Sequence, residues 1–461
     1  MKKKCLLISP PGEFNIFPRG VMEIATFLND HGCPTSVLPL GHYYRDLKSN
    51  LRLDETNFIL DEISDKVLFN ILKDAIQESD PIVVGVSNCY TIDYFNCIKI
   101  VKMCKQINPY IITVMGGPHV TFCDKESMQI PELDVVVRGE GEWVMLELLR
   151  AVEVKRDLEN IPGITIKKNG EIQQNPLAPQ GNLDEIPPVD FGLLPKDFVQ
   201  KSSIHTIVNR GCGYNCKYCA EKRFWGPPRS YPNEKIISEM KTLEKDYQTQ
   251  VLGLHESMAD LRSERFFDLC NCIQKNQIKL TNWFYVTTRI DTVTDESIEC
   301  MLKTNIRMLA VGIENFSPKV LQMMNKRQNF DTVLRGCEKS KKNQIWVHTY
   351  WIIGHPGDDP HEAEYTYNTF KEFFEKDLIR SGHVFMFIPY PGTDCFDHPE
   401  KYGIKISSYD WKHWSRWSKE RLVSWLENFS KDEIVAAYER ARKMLEGYRT
   451  MNRILYPYHF I

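Results

Sequence analysis

Nowhere does this chain carry an apolar run near the roughly 20 residues a helix needs to cross a bilayer. No membrane span is therefore expected. The nearest thing to a targeting signal is Met1-Lys2-Lys3-Lys4 followed by Cys5-Leu6-Leu7-Ile8, and Pro10-Pro11 breaks it before it reaches signal length. Charge of one sign is also lacking: 58 Lys and Arg stand against 61 Asp and Glu, a net of −3. That balance gives no case for nucleic acid or an anionic membrane as partner. The 14 cysteines of an apparently unsecreted chain are expected to be reduced thiols in the cytoplasm, and most of them packed inside. There is no second short cysteine pair of the kind a zinc loop usually supplies. What remains is a 461-residue chain, 42% hydrophobic, long enough for two or three domains with full cores.

Its organising stretch runs from Asn209 to Ala220 and places Cys212, Cys216 and Cys219 at C-x3-C-x2-C spacing among glycines and an asparagine. Three thiolates on a tight loop suit three irons of a 4Fe–4S cluster, and small residues let the backbone wrap the cube. The fourth iron would stay open. A zinc ion is the rival occupant. The spacing, with Tyr218 just before the third cysteine, resembles the signature of the radical S-adenosylmethionine (radical SAM) superfamily. The resemblance implies that the open iron takes the amino and carboxylate groups of S-adenosyl-L-methionine (SAM). One electron then cleaves a C–S bond and releases a 5′-deoxyadenosyl radical.

Residues 1–150 alternate short apolar strands with helices, which predicts a doubly wound, Rossmann-like α/β domain. Ligands of such sheets sit at the carboxyl ends of the strands, where Ser87, Gly116-Gly117 and Gly139-Glu140 fall. The runs Met115–Thr121 and Val137–Glu142 are similar to the cobalamin-binding domain that precedes many radical SAM proteins. By that resemblance Ser87, Gly116 and Gly117 line the slot for the nucleotide tail of cobalamin. The family's cobalt-ligating histidine has no counterpart in the loop Pro10–Arg19. Relatives without it either hold cobalamin unaided or have lost it. A tight strand-to-helix turn is the other reading of Gly116-Gly117, and His119 reads as a turn residue.

Residues 151–203 are expected to form a hairpin with Asn169-Gly170 at its tip, then a proline-punctuated linker. Residues 204–395 show six strand–helix repeats, which predicts an open, partial (β/α)6 barrel with its site at the carboxyl ends of the strands. This succession resembles the radical SAM core. The resemblance puts Glu256 against the amino group of SAM and Glu314 against SAM or its ribose, with Asn315 where serine is usual. Arg289 would meet the SAM carboxylate, unless it pairs with Asp291. Gly354 and Gly357 would admit the adenosyl group, and Tyr218 would border the adenine; both glycines also suit a plain turn. Residues 396–461 read as a small helical domain with Trp411, Trp414 and Trp417, a helix over 430–448, and a docked tail containing His459.

The expected function is a radical SAM enzyme whose 5′-deoxyadenosyl radical abstracts hydrogen from a substrate carbon, for cobalamin-dependent C-methylation. The alternatives are a dehydratase, epimerase or cyclase with an empty cobalamin-type domain, and a non-catalytic metal-binding sensor. The expected partners are a small-molecule or peptide substrate and a flavodoxin- or ferredoxin-type electron donor.

Overall fold

A computed structural model describes residues 5–10, 17–45, 65–202, 204–249, 251–279 and 283–455. The chain divides into two units, Met1–Ser202 and Ser203–Ile461.

In the first unit, β1 (Cys5–Ser9), β2 (Thr35–Pro39), β3 (Val83–Ser87), β4 (Ile112–Gly116) and β5 (Val135–Val137) are short and apolar on both faces. They pair in parallel because each is followed by a crossover that brings the chain back to the same edge. The hairpin β6 (Ile164–Lys168) and β7 (Glu171–Gln174) adds antiparallel to β5, giving the order β2-β1-β3-β4-β5-β6-β7. Its tip is Asn169-Gly170, both at positive φ (49° and 85°), as a tight hairpin turn demands. Strand order reverses between β1 and β3, and the crevice outside their carboxyl ends is where such sheets take ligands. The proline-punctuated stretch packs back on its own unit: Leu183, Ile186, Phe191 and Phe198 are all buried. Its apolar residues, interleaved with the prolines, are what hold it there.

In the second unit, β8 (Ile204–Ile207) leads into a small antiparallel ribbon of β9 (Asn209–Arg210) and β10 (Arg229–Ser230). Then come β11 (Val251–Ala259), β12 (Trp283–Thr288), β13 (Met308–Glu314), β14 (Trp346–Ile353) and β15 (Ser381–Met386). They form one parallel sheet in the order β15-β14-β13-β12-β11-β8, so six strand–helix units make an open partial barrel. β11 has a register break after Leu254 and runs on to Ala259, so Glu256 lies within the strand. The faces of β14 show the design. Val347, Thr349, Trp351 and Ile353 are buried under helices, while His348, Tyr350 and Ile352 point the other way and stay half-buried. Trp351 stacks on Phe370 at 4.5 Å, on the helix Pro360–Glu375 that Asp359 caps.

The carboxyl-terminal segment adds a ribbon, β16 (Ile404–Ile406) with β17 (Ser424–Leu426), that the sequence pattern does not announce. Trp411 and Trp414 are buried in an aromatic cluster with Phe396 and Tyr409. The helix Lys431–Leu455 buries Ile434, Tyr438, Ala441 and Leu445, a stripe at helical spacing. The tail from residue 456, with His459, lies outside the described residues. No described helix is long and apolar enough to cross a membrane.

Candidate functional site

The three cysteines occupy a loop whose neck is closed by the β9–β10 ribbon. Gly211, at φ +87°, makes the closure possible: an added Cβ would stand 2.3 Å from the Pro227 carbonyl oxygen and 2.7 Å from that of Gly226. Only glycine takes this conformation and this approach together. Cys212 N–H then donates to the Gly226 carbonyl at 3.3 Å. The far side of the loop is tied down twice. Lys217 N–H donates to the Met324 carbonyl (2.9 Å), and the Asn325 side chain to that of Asn215 (2.8 Å). On the other flank, Cys395 N–H donates to the Lys217 carbonyl (3.2 Å) and Lys217 Nζ meets Asp394 at 3.0 Å.

Cys212, Cys216 and Cys219 are all half-buried and unoxidised. Burial pushes the Cys219 thiol up to about 12 and raises that of Cys212 as well. Without a cationic cargo, then, the loop prefers neutral thiols. Sulfurs sharing one tetrahedral ion at about 2.3 Å would stand about 3.8 Å apart. Among the described residues, the group whose ligand atoms all lie within 4.8 Å of one another is Asp359, His361 and Glu362, not these cysteines. Three half-buried thiols on one short loop match a cube that takes a thiolate at each of three corners. The exposed Asp359 group is already used, since Asp359 binds Lys319 at 2.7 Å and caps its helix.

Beside the loop lies a buried charged group. Glu314 ends β13 at φ +68°, a left-handed conformation that costs a glutamate about 1–2 kcal/mol. It accepts from Tyr218 Oη at 3.4 Å, and Lys326 Nζ stands 3.5 Å from the same oxygen and 3.2 Å from Tyr218 Oη. Burial raises the Glu314 carboxyl above its ordinary value, with Lys326 pulling the other way. Burial, then the Glu314 charge, raises the Tyr218 phenol well above its ordinary value. One acid and one cation, side by side at a strand end and next to the cysteine loop, are the complements of an amino-acid zwitterion. Lys326 was not legible in the sequence. It sits just after a helix, between Asn325 and Arg327, both at positive φ (54° and 50°).

Arg289 is differently employed. It forms a two-pronged pair with Asp291 (2.9 and 2.7 Å), donates to the carbonyls of Lys326 (2.8 Å) and Arg327 (2.9 Å), and lies over the Tyr214 ring at 4.4 Å. Four of its five N–H donors are engaged, so it braces the Lys326 turn instead of awaiting a carboxylate. Gly354 and Gly357 are at φ +80° and +90°, and added Cβ atoms would meet Ile434 and Met323 at 2.9 Å. Close packing of the protein on itself therefore requires glycine at both positions. The side chain of Glu256 lies outside the described residues.

In the first unit, Ser87 and Gly116 pair across β3 and β4 at the carboxyl edge. Gly117, at φ +110°, is required by the protein itself, because an added Cβ would stand 2.5 Å from the Asn88 carbonyl oxygen. Gly116 is not so required: its added Cβ would meet Val137 at an ordinary 3.6 Å. The Ser87 side chain is half-buried, and no partner for its hydroxyl is found among the described residues. His119 is buried against Tyr94 and Thr91, and burial pulls its imidazole down to about 3. It is a neutral packing residue in the short helix Pro118–Phe122, not the turn residue expected.

The sequence pattern of the Radical SAM superfamily matches residues 206–370 and that of the B12 binding domain residues 12–149. The chain belongs to the radical SAM superfamily. It is among the members that carry a B12-binding domain in front of the radical SAM domain. An uncharacterised methyltransferase of Pyrococcus horikoshii is 28% identical over 409 residues, covering 87% of this chain and 86% of that one. The anaerobic magnesium-protoporphyrin IX monomethyl ester cyclase of Rubrivivax gelatinosus is 26% identical over 356 residues, 75% of this chain and 62% of that one. Among solved structures, the radical SAM methyltransferase TsrM from Kitasatospora setae, with cobalamin and a 4Fe–4S cluster bound, superposes with a TM-score of 0.75. It is 14% identical and covers 96% of this chain and 89% of that one. The cobalamin-dependent SAM radical enzyme OxsB gives a TM-score of 0.67 at 12% identity, over 96% and 62%.

This radical SAM protein is an enzyme, and its fold is one that holds a 4Fe–4S cluster, SAM and cobalamin. Its residues offer three half-buried thiols on one loop, a buried acid and cation beside it, and the Ser87 hydroxyl at the switch point as groups on which such cofactors could be held.

Proposed function

We propose that Cys212, Cys216 and Cys219 hold the cluster, that Glu314 and Lys326 receive the amino and carboxylate groups of SAM beside Tyr218, and that Ser87 and Gly116 line the cobalamin slot. In this reading the enzyme transfers a methyl group to a carbon of a small-molecule or peptide substrate. The observation that carries it is the buried Glu314–Lys326 pair next to a loop of three thiols, one fewer than the irons of a 4Fe–4S cluster. When bound, these groups supply a 5′-deoxyadenosyl radical for hydrogen abstraction and a methyl donor. The chain contributes position and dryness: Glu314 and Lys326 are less than 10% exposed, so their attraction is not screened by water. Methyl transfer is favoured by the Pyrococcus relative, named a methyltransferase, which matches along most of both chains.

Reduced cysteines suit a cytoplasmic setting, and a flavodoxin- or ferredoxin-type donor would supply the electron. The near-neutral charge balance favours neither nucleic acid nor a membrane surface as partner. The test is anaerobic reconstitution with iron, sulfide and hydroxocobalamin, followed by methyl-labelled SAM and a cell extract. Labelled product together with 5′-deoxyadenosine is expected, both lost in C212A/C216A/C219A. 5′-Deoxyadenosine without labelled product would refute methyl transfer while leaving the radical chemistry. The cyclisation named for the Rubrivivax relative is then the reading to take up.

A further inference from the structure

Helices that follow neighbouring strands of one parallel sheet lie side by side. In the second unit β11 pairs with β12, so the helix Glu264–Lys275 after β11 flanks the helix Asp295–Lys303 after β12. Ser263 caps the first, and a capping box of Thr294 and Ser297 starts the second, which fixes the register of each. Cys270 lies on the buried stripe of the first helix with Phe266, Leu269 and Ile273, and is 1% exposed. Cys300 lies in the last turn of the second helix and is half-buried.

The two thiols meet between the helices. Cys270 hydrogen-bonds Cys300, and the hydroxyl of Thr304, one turn beyond Cys300 on the same side, reaches the Cys270 thiol as well. Thr304 is anchored there by the Cys300 carbonyl at 3.0 Å. Packed helices have axes about 8–10 Å apart and Cα atoms on a radius of about 2.3 Å, so facing Cα atoms stand about 4–6 Å apart. A disulfide spans about 4.4–6.8 Å between Cα atoms. The two sulfurs also differ in access and acidity. The hydrogen bond from Cys270 holds the Cys300 thiol below its ordinary value against the effect of burial, and Lys303 adds to it. A reachable, acidified thiol beside a buried second one is the arrangement in which peroxide takes the first sulfur and the second closes the bond. Cys5 and Cys33 of the first unit also lie near each other but lack this asymmetry, since both are buried.

We propose that Cys270 and Cys300 are a dithiol that hydrogen peroxide oxidises to a disulfide, tying the two helices together. The Cys300 thiolate attacks one peroxide oxygen. An S–O bond forms, the O–O bond breaks, and the departing hydroxide takes up the Cys300 proton as water. The Cys270 sulfur then attacks the Cys300 sulfur. The S–S bond forms, the S–O bond breaks, and the second hydroxide leaves with the Cys270 proton as water. The two thiols together lose two electrons and two protons, and the peroxide gains both. This modification site does not depend on the methyl-transfer reading.

The test treats the full-length reconstituted enzyme anaerobically with hydrogen peroxide, blocks free thiols with N-ethylmaleimide and digests with trypsin. Cleavage after Arg265, Lys275, Arg289 and Lys303 leaves Cys270 and Cys300 on separate peptides, and fragment ions distinguish Cys270 from Cys272. The expected result is the two peptides joined in most chains and released by dithiothreitol. The joined fraction should fall at least about tenfold in guanidinium, where the helices no longer hold the sulfurs together. In C270A, dimedone should label Cys300 at least about threefold more than in the parent, because the sulfenic acid has lost its partner. Cys300 driven to sulfinic acid beside a reduced Cys270 overturns the proposal. So does peroxide consumed with both thiols unchanged, a bond from Cys300 to Cys272 instead, or an equal yield in guanidinium. The peptide readout uses the parent chain, so a misfolded C270A does not blunt it.

Discussion

Replacing Gly211 by alanine tests the neck of the cysteine loop. An alanine at φ +87° is strained by about 1–2 kcal/mol. Its methyl group would also lie 2.3 Å from the Pro227 carbonyl oxygen, so that backbone must retreat by about 1 Å to reach ordinary contact near 3.4 Å. Bending bond angles to do so adds on the order of 1–2 kcal/mol. The sum, about 3 kcal/mol, corresponds to a fall in Tm of about 6–12 °C for a unit of this size. Gly213, two residues on, is the internal control: an added Cβ there meets only Pro228, at 4.0 Å. The assay is a thermal melt of the cluster-free protein, followed by iron content and visible absorbance after anaerobic reconstitution. G211A is expected to melt lower and to retain less than about a third of the iron of the parent, which the full cube would hold as about four atoms per chain. G213A is expected to melt with the parent. A G211A protein with parental Tm and iron would refute the claim that the ribbon geometry sets the loop.

Lys326→Met should leave Glu314 as a buried charge without its cation, costing about 3–5 kcal/mol in chemical denaturation, and adding Glu314→Gln should restore most of it. If K326M alone matches the parent, the pair does not exist as described. Asp358 is fully buried, and burial lifts its carboxyl to about 7 although it accepts from Gly354 N–H at 2.9 Å. A carboxyl with a raised folded value binds its proton more tightly folded than unfolded. Its stabilisation is full below about pH 4 and is lost as pH rises through 7. The melting temperature of the cluster-free protein should therefore fall between pH 4 and 7 more steeply than that of D358N. Parallel pH profiles would count against it.

Much of the architecture could be read from residue order because apolar runs such as Val83–Val86 and Val135–Val137 leave little choice between strand and helix. The cysteine loop was legible because three ligands fall within eight residues of one another. The SAM-side cation was not, because Lys326 meets Glu314 only through the fold, from a turn twelve residues later whose exposed-looking sequence Asn-Lys-Arg reads as solvated. Arg289 was open to either reading from order alone. Asp291 is two residues away in sequence, but the carbonyls that complete its binding, at Lys326 and Arg327, are nearly forty away. Gly354 and Gly357 carried a true signal, positive φ, but their packing partners, Ile434 and Met323, lie far from them in the chain and could not be read from order.

The contact of Ile434 with Gly354 sets an order of assembly. The turn after β14 is packed by a residue eighty positions later, and Leu445 of the same helix lies against Gly382 in β15. During synthesis the turn after β14 stays without that packing until those residues have left the ribosome.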